Sequence, residues 1–261
     1  MTVLTAVDQI ISALELPPGA RLDTRIPKKM LIEQGAPTAA DKRAIQDGID
    51  ELQWLAALKP NTVAIPALAD ESRKYSEIAV IAATFRAEAR SPRLTELIHR
   101  AIPYPVLLIT MGGAGAALSV APKRAAQNEG NKVVVERIVL VGDVDPDTSS
   151  AIELAFLESL PLARQPARDL STVYDGWLVR IEALNAARLS GCYVLGDEPG
   201  LVDRRRAALE EYSGLAREIA PLRALAAREK QIGRRVDLNQ KIKAIEAAID
   251  RVKRSMSGAV E

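Results

Sequence analysis

The sequence is poor in cysteine and in aromatic side chains. Cys192 is the only cysteine among 261 residues, which excludes a disulfide within the chain and a thiolate zinc site made by this chain alone. Aromatic residues make up only 3% of the sequence, so they offer few platforms for stacked bases, and single-strand binding through them is disfavoured. Cys192 itself lies in the stretch GCYVLG and is expected to be a small buried residue.

The sequence also lacks a strong net charge and a long apolar run. Its formal net charge is +1, so any affinity for nucleic acid must come from a local patch. No apolar run approaches the ~20 residues that span a bilayer, and the first residues carry Asp8 and Glu15 without a basic segment. We therefore expect a cytoplasmic protein without a membrane contact.

Apolar periodicity predicts a sheet with packed helices in the first part of the chain. Helical spacing that ends at proline or glycine predicts helices over residues 5–16, 38–57 and 91–101. Apolar runs predict strands over 61–66, 75–86 and 132–141, and a hairpin with a glycine-rich tip over 105–121. This order is typical of an α+β fold with a mixed, largely antiparallel sheet.

The rest of the sequence predicts helices. Residues 150–160 and 168–189 are each expected to form one, and apolar residues from 201 to 256 recur at alternating intervals of three and four. Pro221 and Gly233 interrupt this spacing, which favours a kinked or hairpinned helical arm over one continuous coiled coil. The predicted divisions are a mixed α/β body at 1–148, a helical region packing on it at 149–199 and the arm at 200–261.

Positive charge is concentrated in the predicted arm. Residues 200–261 contain 14 lysines and arginines against 9 aspartates and glutamates, a net charge of +5 in a chain whose total is +1. Such asymmetry fits an arm that contacts DNA phosphates or an acidic partner, although a solvated helix face has a similar composition. The residues expected to contact DNA or a partner are Arg25, Lys28, Lys29, Lys123, Arg124, Arg234 and Arg235.

Three motifs invite a catalytic or metal-binding interpretation, but each lacks part of the required pattern. MGGAGAALS at 111–119 has no Lys-Ser or Lys-Thr at the start of a helix, which favours a hairpin tip over a phosphate loop. Asp143, Asp145 and Asp147 alternate as in a calcium loop, but Pro146 interrupts them. His99, the sole histidine, lies on a predicted helix, which favours a structural or interface role over a Ser-His-Asp relay. We therefore assign no catalytic residue, metal ligand or cofactor.

Three stretches together resemble a bacterial family known only as a domain of unknown function. The first is RIPKKMLIEQ with TAADKRAIQDGIDELQWLAALKPNTVAIP, the second is LIHRAIPYPVLLI with LSVAPKR, and the third is REKQIGRRVDLNQKIKAI. The positions that carry the likeness are Ile26, Pro27, Lys28, Lys29, Asp41, Lys42, Asp47, Trp54, Leu58, Pro60, His99, Arg100, Ile102, Pro103, Pro105, Lys123, Arg124, Glu229, Lys230, Gln231, Val236, Leu238, Asn239 and Lys243. Members of this family are typically encoded beside DNA methyltransferases and helicases of restriction-type defence loci.

The resemblance implies an accessory part of a defence system. Asn239 lies beside the apolar seam of the arm, where a polar amide usually fixes register or caps a partner's backbone, so docking is favoured over catalysis. The expected interface residues are His99, Arg100, Glu229, Lys230, Gln231, Asn239 and Lys243.

Three hypotheses follow from this interpretation. The first is a non-catalytic subunit that binds a helicase or methyltransferase partner and also DNA. The second is a metal-dependent nuclease subunit with carboxylates such as Glu77, Glu136 and Asp143, although no Glu-x-Lys stands on a predicted strand of the sheet. The third is a structural adaptor without nucleic-acid contact. The sequence leaves the oligomeric state open.

Overall fold

A computed structural model gives the fold of most of the chain. It describes residues 6–70, 72–112, 115–125, 133–145, 150–196 and 200–256. The chain divides into two compact units, Met1–Ile181 and Glu182–Glu261. The predicted three-part division, with limits at 148 and 199, stays a prediction.

Nine helices, two of them very long, lie in the described parts of the chain. They are α1 Ala6–Ala13, α2 Lys28–Gly35, α3 Ala39–Gly48, α4 Pro60–Val63, α5 Ser91–Ala101, α6 Ala151–Ser159, α7 Leu170–Ser190, α8 Leu201–Arg228 and α9 Ile232–Met256. Short 3₁₀ turns occupy Pro18–Ala20 and Leu162–Arg164. The unit boundary falls inside α7.

The strands form one large sheet and two small ones. They are β1 Arg21–Arg25, β2 Ile49–Leu58, β3 Leu68–Ala69, β4 Lys74–Tyr75, β5 Ile78–Phe85, β6 Val106–Gly112, β7 Gly115–Val120, β8 Lys123–Ala125, β9 Val133–Val135 and β10 Val139–Val144. The large sheet has the order β1-β2-β5-β6-β7-β10, while β3 pairs with β4 and β8 with β9. Within it β5 and β6 are parallel and the other neighbouring pairs are antiparallel, which confirms the α+β prediction.

The core of the first unit lies where α2, α3 and α5 pack on this sheet. Strand β5, with the sequence IAVIAATF, is buried along most of its length, as its continuous apolar run predicts. Helix α5 presents Leu94, Leu97 and Ile98 to the core at intervals of three and one, and each of these side chains is fully buried. This packing fixes the C-terminal end of α5 next to the sheet.

The second unit is a helical hairpin packed on the end of α7. Buried Ala186, Ala208, Val252 and Met256 form its apolar cluster. Helix α8 continues through Pro221 to Arg228, and α9 begins only four residues later, at Ile232. The predicted hairpinned arm is therefore confirmed, and its turn at residues 229–231 lies between the two predicted interruptions, Pro221 and Gly233. A helix of 28 residues rises roughly 40 Å at ~1.5 Å per residue, so the hairpin is long.

The predicted helix over 38–57 is wrong in its second half. Helix α3 ends at Gly48, and the chain continues as β2, which pairs with β5. Two irregularities in that pairing, at Ile49/Glu51 and at Trp54/Ala56, each shift the strand by one residue. Because a bulge breaks the two-residue alternation of a strand, Ile49, Leu52 and Leu55 are buried at intervals of three, and this strand imitates a helix.

Three smaller predictions are also corrected. Residues 61–66 contain the single-turn helix α4 instead of a strand, because Pro60 starts a turn in which the Lys59 amide donates to Thr62 Oγ1 at 2.9 Å. The single strand predicted over 132–141 is divided between β9 and β10, which belong to different sheets. Cys192 is exposed, whereas burial was expected.

The described residues include no helix that is both long and apolar enough to cross a membrane. The predicted glycine-rich hairpin is confirmed in β6 and β7: β6 ends at Gly112, which pairs with Gly115 at the start of β7. Its tip, residues 113–114, lies outside the described residues, and so does Asp147 of the acidic turn.

Candidate partner-binding surface and ligand groove

The turn of the α8–α9 hairpin exposes three large apolar side chains. The exposed fractions are 57% for Leu225, 70% for Ile232 and 47% for Val236. All three lie within one helical turn or two of residues 229–231, and we call the surface formed by residues 225–241 the hairpin tip. Because large exposed apolar side chains often belong to interaction surfaces, the hairpin tip is a candidate partner-binding surface.

Exposed basic side chains occupy the same stretch of the chain as these apolar residues. The exposed cations of the hairpin tip are Arg228, Lys230, Arg234, Arg235 and Lys241. Residues 225–241 contain these five basic residues against two acidic ones, Glu229 and Asp237, which gives a net charge of +3. The hairpin tip therefore combines apolar area with positive charge.

The hairpin tip is concave on one side. A cavity of about 420 Å³ is lined by Leu225, Arg228, Glu229, Arg234, Asp237, Leu238 and Lys241. Glu229 accepts a hydrogen bond from the Gln231 amide at 2.8 Å, which holds the turn between the helices. Asn239, predicted beside the seam, and Lys243, predicted as an interface residue, are both exposed on α9.

A second concave surface lies in the first unit, at the C-terminal end of α5. We call it the α5 groove; its volume is about 640 Å³, and its walls include Met30, Gln34, Trp54, His99, Arg100, Ile102, Tyr104, Lys123, Val133 and Val135. The rings of Trp54 and Tyr104 meet edge to face with centroids 6.4 Å apart. Three residues predicted from the sequence, His99, Arg100 and Lys123, come together in this groove.

His99 is fully buried and neutral. Its Nε2 lies 2.9 Å from Ser119 Oγ in a hydrogen bond, while the buried Nδ1 has no hydrogen-bond partner in the described structure. Burial lowers the pKa of His99 to about 3, and the charge of nearby Lys123 adds to this shift. His99 is therefore not a proton donor or acceptor in exchange with solvent near neutral pH.

Lys123 is buried as well, although its sequence suggested a surface cation. Its Nζ donates to the carbonyl oxygens of Ile102 and Tyr104, the latter at 2.5 Å, just beyond the end of α5. Burial lowers the pKa of Lys123 to about 7. Two accepting carbonyls near a helix C-terminus favour the ammonium form and oppose that shift. Lys123 is thus not presented to DNA phosphates on the outer surface.

The other predicted cations of the first unit stay on the surface. Arg25 lies on the exposed edge strand β1 and Arg124 is exposed on β8. The Lys28 Nζ donates to the Gln46 carbonyl at 3.3 Å. The Lys29 Nζ lies 3.7 Å from Glu33, but its side chain is 84% exposed, so this pair leaves Lys29 accessible.

The carboxylates suggested for a nuclease site do not converge. Glu77 immediately precedes β5, and its carboxylate lies 3.2 Å from the Lys59 ammonium. Asp143 lies near the end of β10, which runs in the same direction as β5, and the strand register places it roughly 20 Å farther along the sheet at ~3.3 Å per residue. Glu136 precedes β10 and lies at the end occupied by Glu77. Among the described residues, no group of three or more His, Cys, Asp or Glu residues is placed to hold a metal ion.

Several residues of both surfaces were not predicted as site residues from the sequence. Trp54 was noted only for its family likeness, and nothing in the sequence singled out Tyr104. The contact between their rings depends on the pairing of β2 with β5 and on the loop after α5. Ile232 and Val236 did carry a signal, because they fall outside the spacing of the α9 seam that includes Leu238 and Ile242. Apolar residues off the seam of a paired helix indicate a second contact surface.

Comparison with protein families identifies the chain. Residues 14–249 match the family described as Domain of unknown function (DUF4391). The chain belongs to this family. The match covers both the α5 groove and the hairpin tip, and it confirms the predicted resemblance to a domain of unknown function. Neither the curated proteins nor the solved structures include a significant match to the chain.

Proposed function

We propose that this protein is a non-catalytic accessory subunit of a restriction-type antiviral system and that its hairpin tip binds a helicase or methyltransferase partner. The observation that carries the proposal is the exposure of Leu225, Ile232 and Val236 next to the turn of the hairpin, in a stretch that also exposes basic residues. The defence context comes from the family resemblance described above.

The exposed apolar side chains of the hairpin tip favour a protein as its ligand. Fully burying one such side chain contributes roughly 1.5–3 kcal/mol, and hydrated phosphates cannot provide an apolar surface for this burial. The net charge of +3 favours a partner with an acidic rim. It also opposes self-association through two tips, since their charges repel.

DNA is the second proposed ligand. Arg25, Lys29 and Arg124 offer exposed cations in the first unit, and Arg234 and Arg235 offer them in the second. Binding through such residues is sequence-independent and weakens as salt is added. The nuclease alternative has no support from the structure, because Glu77 and Asp143 lie at opposite ends of the sheet.

The partner test compares two variants of the same helix. Ile232→Glu replaces the most exposed apolar side chain of the hairpin tip with a negative charge, whereas Ala247→Glu changes an exposed residue of α9 outside the tip. Each full-length protein is tagged in its native locus, and co-purified proteins are identified. We expect a helicase or methyltransferase from the neighbouring genes with the natural protein and with Ala247→Glu, and at least a tenfold loss with Ile232→Glu. If no product of a neighbouring gene co-purifies with the natural protein, the proposed function is contradicted. If the partner is recovered equally with both variants, the hairpin tip is not its binding site.

The DNA test measures binding of duplex DNA by fluorescence anisotropy at 50 and 200 mM salt. We expect affinity to fall with salt and to fall further in the double variant Arg234→Gln, Arg235→Gln. Binding that is absent at low salt would leave the structural adaptor without nucleic-acid contact as the function.

A further inference from the structure

We propose that the α5 groove binds a small planar anion, an aromatic carboxylate or phosphate, whose ring packs against Trp54 and Tyr104 and whose negative group faces Lys123 and Arg100. This site is separate from the hairpin tip and does not depend on the function proposed above. Its volume of about 640 Å³ lies within the ~300–1,000 Å³ of pockets that hold small molecules.

The lining of the groove combines apolar walls with few polar groups. Met30, Val133 and Val135 join the edge-to-face pair of Trp54 and Tyr104 to form a surface suited to a flat ring. Val133 is 41% exposed, so its side chain adds accessible apolar area to the groove. Arg100 lies at the rim with its side chain 53% exposed, and its ion pair with Glu96 at 2.8 Å holds it in place.

Lys123 supplies a buried positive group. An ammonium has three protons, and the carbonyls of Ile102 and Tyr104 accept two of them. Within the described part of the chain the third proton has no acceptor, so it can be donated to an anion, and the groove borders this side chain. A buried cation with an unused donor is costly without a ligand, because burial penalises its charge.

His99 adds an independent observation on the same wall. Its Nδ1 is buried and has no hydrogen-bond partner among the residues that the structure describes, although the other ring nitrogen is bound to Ser119. Buried polar atoms in proteins are nearly always satisfied, so an unpartnered one in the lining of a groove points to a missing ligand or water.

Proton uptake should accompany the binding of the anion. Because the pKa of Lys123 is lowered to about 7, a bound negative charge favours its protonated form and raises that pKa. The other ionisable groups near Lys123 are His99 and Arg100 of α5, Tyr104 after it, Tyr75 of β4 and Glu136 after β9. The pKa values of His99 and Tyr75 are shifted to about 3 and about 12, so a fall in the affinity for the anion between pH 7 and 9 reports Lys123.

The competing explanation is that Lys123 only caps the C-terminal end of α5 in a closed interior. Pyridoxal 5′-phosphate distinguishes the two, because it is a planar aromatic anion with an aldehyde. The neutral Lys123 amine adds to the aldehyde carbon, water leaves to form an imine, and added borohydride delivers hydride to the imine carbon to leave a stable secondary amine. Peptide mass spectrometry then locates the label on the full-length protein.

We expect Lys123 to be labelled at pH 7.5 in preference to Lys29, although Lys29 is 84% exposed. An amine with a pKa of about 7 is mostly neutral at this pH, whereas an ordinary lysine is neutral roughly 500 times less often. Pyridoxine 5′-phosphate, which lacks the aldehyde, should protect Lys123 from the label. Arg100→Gln should weaken this protection at least fivefold, and Arg25→Gln, outside the groove, should not change it.

Each outcome decides between the explanations. Labelling of Lys123 that is protected by pyridoxine 5′-phosphate and weakened by Arg100→Gln supports the site. Labelling without protection reveals a reactive lysine without a binding groove and overturns the proposal. Labelling of Lys29 while Lys123 stays unmodified shows a closed helix cap and also overturns it. These results do not depend on whether the hairpin tip binds a partner, so the two proposals can fail separately.

Discussion

The single histidine makes the burial of His99 directly testable. Because the pKa of His99 is lowered from 6.5 to about 3, the folded protein keeps the ring neutral while the unfolded chain takes up a proton below pH 6.5. The stability contributed by this difference is fully present above pH 6.5 and is lost as the pH falls toward 3. Between pH 6.5 and 5.0 the free energy of unfolding should fall by roughly 2 kcal/mol, since one pH unit corresponds to ~1.4 kcal/mol.

The variant His99→Gln removes the titrating group and keeps a polar side chain able to reach Ser119. Urea unfolding of the natural protein and of the variant is compared at pH 7.5, 6.5, 5.5 and 5.0, with tryptophan fluorescence as the signal. Both tryptophans, Trp54 and Trp177, lie in the first unit, so the signal reports the unit that contains His99. We expect the natural protein to lose stability between pH 6.5 and 5.0 and the variant to be nearly insensitive to pH over that interval.

A direct measurement accompanies this comparison. The chain has one histidine, so its imidazole gives a single Hε1 resonance, which should not titrate between pH 8 and 5 in the folded protein. A resonance that titrates with a midpoint near 6.5, or identical pH dependence in the natural protein and His99→Gln, would refute the burial argument.

Three further predictions concern Lys123, Gly48 and Ile232. The pKa of Lys123 is lowered from 10.5 to about 7, so above pH 7 the unfolded chain holds a proton that the folded protein has lost. The free energy of unfolding should therefore rise by roughly 2–3 kcal/mol from pH 7 to pH 9. Urea unfolding of Lys123→Met should show no such rise. A Cβ on Gly48 would lie 2.8 Å from Leu94 Cδ1, so Gly48→Ala should lower stability by about 1–3 kcal/mol, whereas Gly19→Ala, with open space around it, should have little effect. Ile232→Glu should leave the melting temperature within about 2 °C of the natural value, because the side chain is 70% exposed, and a larger fall in calorimetry would show that the tip is part of the folded core.

Local signals in the sequence predicted those elements whose apolar spacing is regular. Helix α5 starts at Ser91 and Pro92 and keeps its core residues at helical intervals, and β5 is a continuous apolar run, so both were predictable. Strand β2 was not, because its two bulges are set by the pairing with β5, which lies some 25 residues farther along the chain. The strand predicted over 132–141 failed for a similar reason, since only pairing assigns its halves to separate sheets.

The candidate sites show the same limit. Lys123 reads as a surface cation because lysines are rarely buried, and only the tertiary structure brings the carbonyls of Ile102 and Tyr104 around its ammonium. The concentration of charge in the arm was visible from the sequence. The concentration of exposed apolar residues at one end of it was not, because that requires knowing that the chain reverses direction at residues 229–231.

The lengths of α8 and α9 set the distance between the two ends of the hairpin. Their contact with each other follows a repeating seam, so removing seven residues from each helix would keep the same faces together and move the turn ~10 Å closer to the base. Lengthening both by the same amount would carry it equally far outward. The length of the hairpin can therefore change independently of its binding residues. A shorter or longer hairpin would place a partner bound at the turn at a different distance, while every residue of the hairpin tip stayed the same.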